Sequence, residues 1–469
     1  MERPVALYLF VCSTLLAEEP LRTWTDLQGD TIEARLTNLV DGKKIEIVRS
    51  DGRSFIVSPS IFSEQDRKYL DEVLADLHNL SRKNPFEYSL RRSLNKAFGT
   101  ISAKDLLSVE KFTARGDPPD LTPIADLKNL KKLTLSTVNR GNIADIAPLA
   151  GLTKLEYLIL GGNHKFSDLS PLAGLTSLKH LLFFISPDAP EVDLAPLGNL
   201  TALTDLNFGI SGPSKPTNAD ALAKLVNLRR INLNGKATGI TPLANLKNLE
   251  ELTLTGPVPD LAPLANLTSL RQVDLHFTPT SPDLSALARL VNLESLRIGK
   301  PLNNKEGGIK DLSPLANMTK LESLVILNGQ MSEVVPLKNL VNLTHLSIPY
   351  NQITDIKSLA GLTQLTTLRL NSNLIAILPP MTNLRNLKDL NLGNNALTDL
   401  SPLSSLSNLT SLNLSQTRHV RGVPKNQITD VSPLKGLTQL ENLNLRGNKI
   451  PDDQKEMLGK ALPNCTIKF

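Results

Sequence analysis

Metal ligation or nucleophilic catalysis in this 469-residue chain would fall to six histidines, at positions 78, 164, 180, 276, 345 and 419, and two cysteines, Cys12 and Cys465. Such chemistry sets geometric terms. A helical metal site needs ligands one turn apart, and a zinc knuckle needs close cysteine pairs. No two of these side chains have that spacing. No GxSxG, HExxH, phosphate-loop or GxGxxG signature sits between a strand and a helix. Serine, histidine and aspartate could meet across neighbouring strands, yet nothing singles out a trio. The sequence therefore reads as non-enzymatic, with no catalytic residue, no metal and no cofactor. Its formal net charge of +5 is mild and dispersed, which gives no footprint for nucleic acid. Arg115-Gly116-Asp117 and the Asn-Leu-Thr triplets at Asn199, Asn266 and Asn342 match short recognition motifs, but their residues are ordinary for turns and for the repeat itself.

The chemistry that remains is recognition by a surface, and a repeat must position it. Residues 336–395 read PLKNLVNLTHLSIPYNQITDIKSLAGLTQLTTLRLNSNLIAILPPMTNLRNLKDLNLGNN. Leu346, Leu368 and Leu390 stand 22 residues apart, with Leu343/Leu365/Leu387 before them and Ile348/Leu370/Leu392 and Asn351/Asn373/Asn395 after. This LxxLxLxxN pattern resembles the leucine-rich repeat, in which each unit gives one short parallel strand and cannot bury its leucines alone. Strand centres are predicted at Leu133, Leu158, Leu181, Leu206, Ile231, Leu252, Val273, Leu296, Leu324, Leu346, Leu368, Leu390, Leu412 and Leu443. Phrases such as Asp-Leu-Ser-Pro-Leu-Ala-Gly-Leu leave room between strands only for 3-10 or irregular turns. The predicted fold class is an α/β leucine-rich-repeat solenoid, a right-handed horseshoe or gently curved rod with its parallel sheet on the concave face. An aromatic content of only 4% suits thin layers of stacked aliphatic side chains.

Side chains alternate along a strand, so the residue between each pair of buried leucines faces the concave side. That column reads Thr134, Ile159, Leu182, Asn207, Asn232, Thr253, Asp274, Arg297, Val325, Ser347, Arg369, Asn391, Asn413 and Asn444, and most of it is polar. Tyr157, Ile159, Leu182 and Phe184 break the pattern and should form an exposed apolar patch, the mark of an interaction site. His276, Arg297, Tyr350 and Arg369 add residue types common at interface hot spots. The ladder Asn is read at Asn163, Asn351, Asn373, Asn395 and Asn448. Through the middle repeats it gives way to longer proline-rich turns, SPDAPEVD, SGPSKPTNAD, TGPVPD and HFTPTSPD. A further insertion, holding TRHVRGVPKN, lies between Leu412 and Leu443. Protruding loops on a rigid scaffold are favoured places for recognition.

The consensus PLxxLTxLxxLxLxxNxI, with a helical segment EYSLRRSLNKAFGTISAKDLLSVEKFTARGD before it, resembles the internalin-type leucine-rich repeat family. That resemblance implies a secreted or surface protein that binds a protein ligand through its concave sheet. Ahead of the repeats, strands are predicted at Arg22–Thr25, Thr31–Leu39, Lys44–Arg49 and Ser54–Val57, with hairpin signals at Asp41-Gly42 and Asp51-Gly52. Ser63 reads as the N-cap of a helix, and Asn84-Pro85 as the start of another running to about Ala97. The string RTWTDLQGDTIEARLTNLVDGKKIEIVRSDGRSFIVSPSIFSEQDRKYL resembles the Sla-type homology domain of endocytic adaptors, an SH3-like β barrel with one helix. It implies capture of an Asn-Pro-Phe-x-Asp peptide.

MERPVALYLFVCSTLLA is laid out as a secretory signal cleaved after Ala17, and is too short for a membrane span of about 20 residues. The expected organisation is therefore 1–17 signal peptide, 18–80 Sla-type domain, 81–114 helical cap with a degenerate first repeat, 115–450 repeats and 451–469 C-terminal cap. The expected product is secreted, periplasmic or at the cell surface and makes no stable membrane span. Two alternatives stay open: a cytoplasmic adaptor with cytoskeletal, ubiquitin or endocytic partners, and a cell-envelope component that binds copies of itself.

Overall fold

The computed structural model describes residues 21–469 except 41–42, 116–119, 137–142, 211–215, 236–238, 257, 259, 277–282, 300–307 and 417–424. The leader read at 1–17 lies outside the described residues, as do most of the TRHVRGVPKN insertion and the Gly and Asp of Arg115-Gly116-Asp117. The chain divides into two compact units, Met1–Ala221 and Leu222–Phe469.

The first unit begins with strands β1 (Arg22–Thr25), β2 (Thr31–Val40), β3 (Lys44–Arg49) and β4 (Ser54–Val57), paired antiparallel in sequence order. The β3–β4 turn is the one Asp51-Gly52 announces: Gly52 has φ +83° and donates to Arg49 O at 3.0 Å. Helix α1 (Glu64–Lys83) covers this sheet. Its Ser63 cap accepts from Asp66 N at 3.2 Å, which satisfies one of the free N–H groups of the first turn. Leu70 and Leu77 enter a core with Trp24, Ala34, Leu36, Ile45, Ile47 and Phe62, each large aliphatic side chain adding about 2 kcal/mol by burial. One carboxylate ties helix to sheet. Asp66 accepts from Arg22 Nη2 at 2.7 Å, Thr25 N at 2.9 Å and Ser63 Oγ at 2.9 Å. Burial raises the pKa of Asp66, but these three donors outweigh it and hold the group below 3.8.

Asn84 caps helix α2 (Pro85–Ser93), accepting from Glu87 N at 3.1 Å, with proline at the helix start where no N–H is needed. The helix stops at Ser93, short of the predicted Ala97, because Asn95 turns to φ +51° and Lys96 N closes back on Arg91 O at 2.9 Å. Helix α3 (Ala103–Ser108) carries a full capping box between Ser102 and Asp105. Five parallel strands follow: β5 (Lys111–Arg115), β6 (Lys132–Ser136), β7 (Tyr157–His164), β8 (His180–Ile185) and β9 (Asp205–Ile210).

The second unit adds eleven parallel strands. β10 (Arg230–Gly235), β11 (Glu251–Thr255), β12 (Gln272–His276), β13 (Ser295–Gly299) and β14 (Ser323–Ile326) have four to six residues. β15 (His345–Ser347), β16 (Thr367–Arg369), β17 (Asp389–Asn391), β18 (Ser411–Asn413) and β19 (Asn442–Asn444) have three each. Helix α4 (Asp452–Ala461) and β20 (Thr466–Lys468) close the array where the C-terminal cap is predicted. All fourteen predicted strand centres lie in strands and are buried.

Between strands the chain makes 3-10 turns of three to six residues. An aspartate starts many of them: Asp168, Asp311 and Asp399 accept from the backbone N–H two residues on at 2.8 Å, and proline then fixes the next φ. The hydroxyls of Ser313 and Ser401, then these backbone bonds, favour the ionised form of Asp311 and Asp399, while in Asp168 the backbone bond leads and the Ser170 hydroxyl adds to it, so these carboxyls lie below 3.8. Among the described residues no helix is long and apolar enough to cross a membrane.

Candidate protein-binding surface

In the first unit, alternation along the strands sends Leu158, Leu160, Leu181 and Phe183 into the core and their neighbours to the open face of the sheet. Register sets Thr134, Ile159, Leu182 and Asn207 in one row. Ile159 and Leu182 are direct partners, and Tyr157 and Phe184 lie on the same face. All four are half-buried rather than fully exposed, because residues in register on adjacent strands shield each other. Phe184 is displaced from simple register by a bulge. Gly161 and Gly162, the latter at φ +113°, insert so that Asn163 pairs with Phe184. Asn163 therefore continues strand β7 and does not occupy a ladder turn.

A polar row runs alongside this patch. Lys132 Nζ stands 4.2 Å from the Tyr157 ring centroid, the Tyr157 and His180 rings are 5.3 Å apart, and His180 Nδ1 lies 2.8 Å from Asp205 Oδ2. The apolar side chains are thus bordered by a chain of contacts from cation to anion. Reading the position before each central leucine, Lys-Tyr-His-Asp, would have revealed Lys132, His180 and Asp205 as well as Tyr157.

The remaining predicted residues lie in the second unit and are not gathered at one point. His276 Nε2 approaches Asp274 Oδ1 at 2.9 Å, and Arg297 Nε lies 3.9 Å from the same oxygen on the next strand. Arg369 gives Nε and Nη2 to Asp389 Oδ2 at 3.0 and 2.7 Å. His345 stands between these pairs in strand order, and burial, then the positive charge of Arg369, holds its imidazole below 6.5. Tyr350 lies in the turn after β15 at φ +58°, with 37% of its surface exposed. Asn328, Ser372 and Asn394 take the same backbone conformation one repeat away on either side or two beyond, so Tyr350 is the large aromatic placed where small polar residues normally go.

Behind these turns runs a buried amide ladder. Asn373, wholly buried, donates to Ile348 O at 3.1 Å and Leu370 O at 2.9 Å, and accepts from Ile353 N at 3.1 Å. Asn395 repeats this with Leu370 O, Leu392 O and Ile375 N. The next rung is Asn426, which donates to Leu392 O and Leu414 O and accepts from Leu397 N. Spacing alone does not reveal this rung, because the insertion separates it from its strand. The signal that does is the phrase Asn-Gln-Ile-Thr-Asp, present at both 351–355 and 426–430.

The excess of basic residues is dispersed. Lys131 pairs with Glu110 at 2.9 Å and Lys179 with Glu156 at 2.7 Å in the first unit, as Arg229 does with Glu250 and Arg271 with Glu294 in the second. Such exposed pairs contribute little stability, but they leave no basic stripe along that edge. Among the described residues no group of three or more His, Cys, Asp or Glu is arranged to hold a metal ion. In the first unit, a cavity of about 600 Å³ opens between the β1–β4 sheet and helices α1 and α2, lined by Asn38, Tyr88, Arg91, Arg92 and Asn95 among others.

A family model described as leucine-rich repeats in two copies matches residues 128–174 and 341–383. The fold is that of a leucine-rich-repeat solenoid. Solved structures of this kind align with most of the chain. An internalin from Listeria monocytogenes is 29% identical, with 79% of this chain and 96% of that one covered and a TM-score of 0.59. A Leptospira interrogans leucine-rich repeat protein is 23% identical over 83% and 98% of the two chains, with a TM-score of 0.65. A plant peptide hormone receptor in complex with RGF2 is 21% identical over 75% and 57%, with a TM-score of 0.58. The likeness extends to the receptor's fold alone. No curated protein matches the chain.

Proposed function

We propose that the chain is a non-enzymatic scaffold that binds a protein partner through the open, concave face of its leucine-rich repeats. The observation that carries this reading is the apolar cluster of Tyr157, Ile159, Leu182 and Phe184 on a sheet face that is polar elsewhere, bordered by the Lys132–Tyr157–His180–Asp205 row. Aromatic and aliphatic anchors inside a polar rim are the composition of an interface centre. His276, Arg297, Tyr350 and Arg369 then serve as further contacts, and the loop SPDAPEVD, exposed at Pro187, Asp188, Pro190 and Glu191, as a rim. The plant receptor of like fold is in complex with RGF2, in keeping with a repeat array used for recognition. Secretion or surface display is part of this reading, and the internalin resemblance supports it.

The test is capture of partners from the source organism's envelope and culture fractions by the full chain and by the Tyr157→Ser, Leu182→Ser, Phe184→Ser triple variant. Capture should be lost in the variant while its melting temperature is retained. Equal capture by both would remove the site assignment. A second reading assigns recognition to residues 18–80 as a Sla-type domain, and the N-terminal cavity favours it. Asn38 and Leu39 of those residues line that cavity, faced by exposed Arg92 of the neighbouring helix α2, so Arg92→Glu should then weaken capture while the triple variant leaves it intact. Light scattering that shows concentration-dependent growth without any partner would favour self-assembly.

A further inference from the structure

The open face of the last repeats is chemically one-sided. Register places Arg369, Asn391, Asn413, Asn444 and Lys468 side by side on five consecutive strands. At the strand spacing this row is about 19 Å long. Each asparagine oxygen is turned toward its own turn and accepts one bond there: Gly393 N donates to Asn391 Oδ1 at 3.1 Å, Ser415 N to Asn413 Oδ1 at 3.0 Å, and Arg446 N to Asn444 Oδ1 at 3.3 Å. The amide NH₂ groups make no such turn bond and are the groups most open to a partner. Arginine and lysine have donors only. Arg369 binds Asp389 through Nε and Nη2, which leaves Nη1. Lys468 and Arg446 are exposed. The row thus carries an amide NH₂ on each of three strands, Arg369 and Lys468 at its two ends, and no carboxylate of its own.

We propose that this row docks an extended acidic polypeptide segment whose Asp or Glu carboxylates accept from neighbouring amides and from the flanking Arg369 and Lys468. A carboxylate presents acceptors only, and hydrogen bonds to it are shorter and stronger than those to neutral groups. The row has too few cations for the counterion-release binding that nucleic acids use. Asp389, in the adjoining row, disfavours a polymer charged at every unit, whereas a peptide with spaced carboxylates can pass it. This surface extends the protein-binding reading to the second unit and does not depend on the apolar patch.

The experiment is fluorescence anisotropy of the full chain with a labelled ten-residue Glu-Ser repeat at low salt, with a Lys-Ser repeat and a sulfated glycan as competing probes. The Glu-Ser probe should bind saturably, and the Asn391→Asp, Asn413→Asp, Asn444→Asp variant should weaken it at least tenfold while gaining affinity for Lys-Ser. Aspartate keeps the oxygen that the turn uses and replaces only the donor. Should that variant melt early, Arg446→Glu with Lys468→Glu, which breaks no described bond, must show the same direction. The Tyr157/Leu182/Phe184 serine variant should retain full affinity for the probe, so failure of either surface is read separately. No saturable Glu-Ser binding, equal binding by the Asp variant, or preference for the sulfated glycan would each overturn the proposal.

Discussion

The strands β15–β19 and the strands β10–β14 are built from one consensus, yet the first set has three residues each and the second four to six. The difference is one side chain per repeat. Each short strand is followed by a ladder asparagine, at 351, 373, 395, 426 or 448, whose amide takes the strand's last carbonyls and folds the chain into its turn. Backbone bonds to the next repeat still run on past these short strands, Ile348 N to Arg369 O at 2.9 Å and Tyr350 N to Asn371 O at 3.0 Å, but in a turn conformation and not as extended strand. The side-chain ladder thus fixes the turn by which the chain leaves the strand, as caps do at helix ends. The short-strand region gains a repeated turn, broken by the one insertion after β18, and the amide row of Asn391, Asn413 and Asn444. The long-strand region gains width and variable loops.

The sharpest way to break this comparison is to remove a rung. Asn373→Ala leaves Ile353 N without its acceptor in a site with no water access and should destabilise the second unit by about 2–4 kcal/mol in denaturant unfolding. Asn232→Ala, in long-strand β10, removes an amide whose Oδ1 has no partner among the described residues, and should change stability by less than about 0.5 kcal/mol. Similar losses in both would show that the ladder does not set the difference.

A smaller effect with the opposite sign is expected at Tyr350. Tyr350→Asn should stabilise by up to about 1 kcal/mol, because asparagine tolerates the left-handed conformation that Asn328 and Asn394 already adopt there. Partner binding through Tyr350 would fall in the same variant. Acid should act on both regions alike and most weakly per site. Asp168 in the first unit and Asp399 in the second have carboxyls held below the usual 3.8 by the turn bonds they accept. Their contribution is complete above that value and is lost as pH falls through the lowered folded-state values. Hydrogen exchange at pH 5 and pH 3 should show turns of both regions loosening together.

Much of this molecule was legible from spacing. Leu346, Leu368 and Leu390 are buried where the 22-residue period puts them, because a leucine that recurs at fixed separation stacks on its equivalents in the neighbouring repeats. Ser63 and Asn84 cap helices as their types and positions announce. Local chemistry also foretold the Asp-started 3-10 turns, since the bond from residue two on is made within the segment. The sequence by itself thus determined the strand count, the core and the turn chemistry. Tertiary structure decided what those elements do to one another. The bulge that carries Asn163 into register with Phe184 and the contact of Tyr157 with His180 arise between strands more than twenty residues apart. The same holds for Asn426, which reaches back across the insertion to the carbonyl of Leu392. Pairings of that kind depend on register, and register is fixed by the cooperative packing of neighbouring strands, which no single repeat encodes.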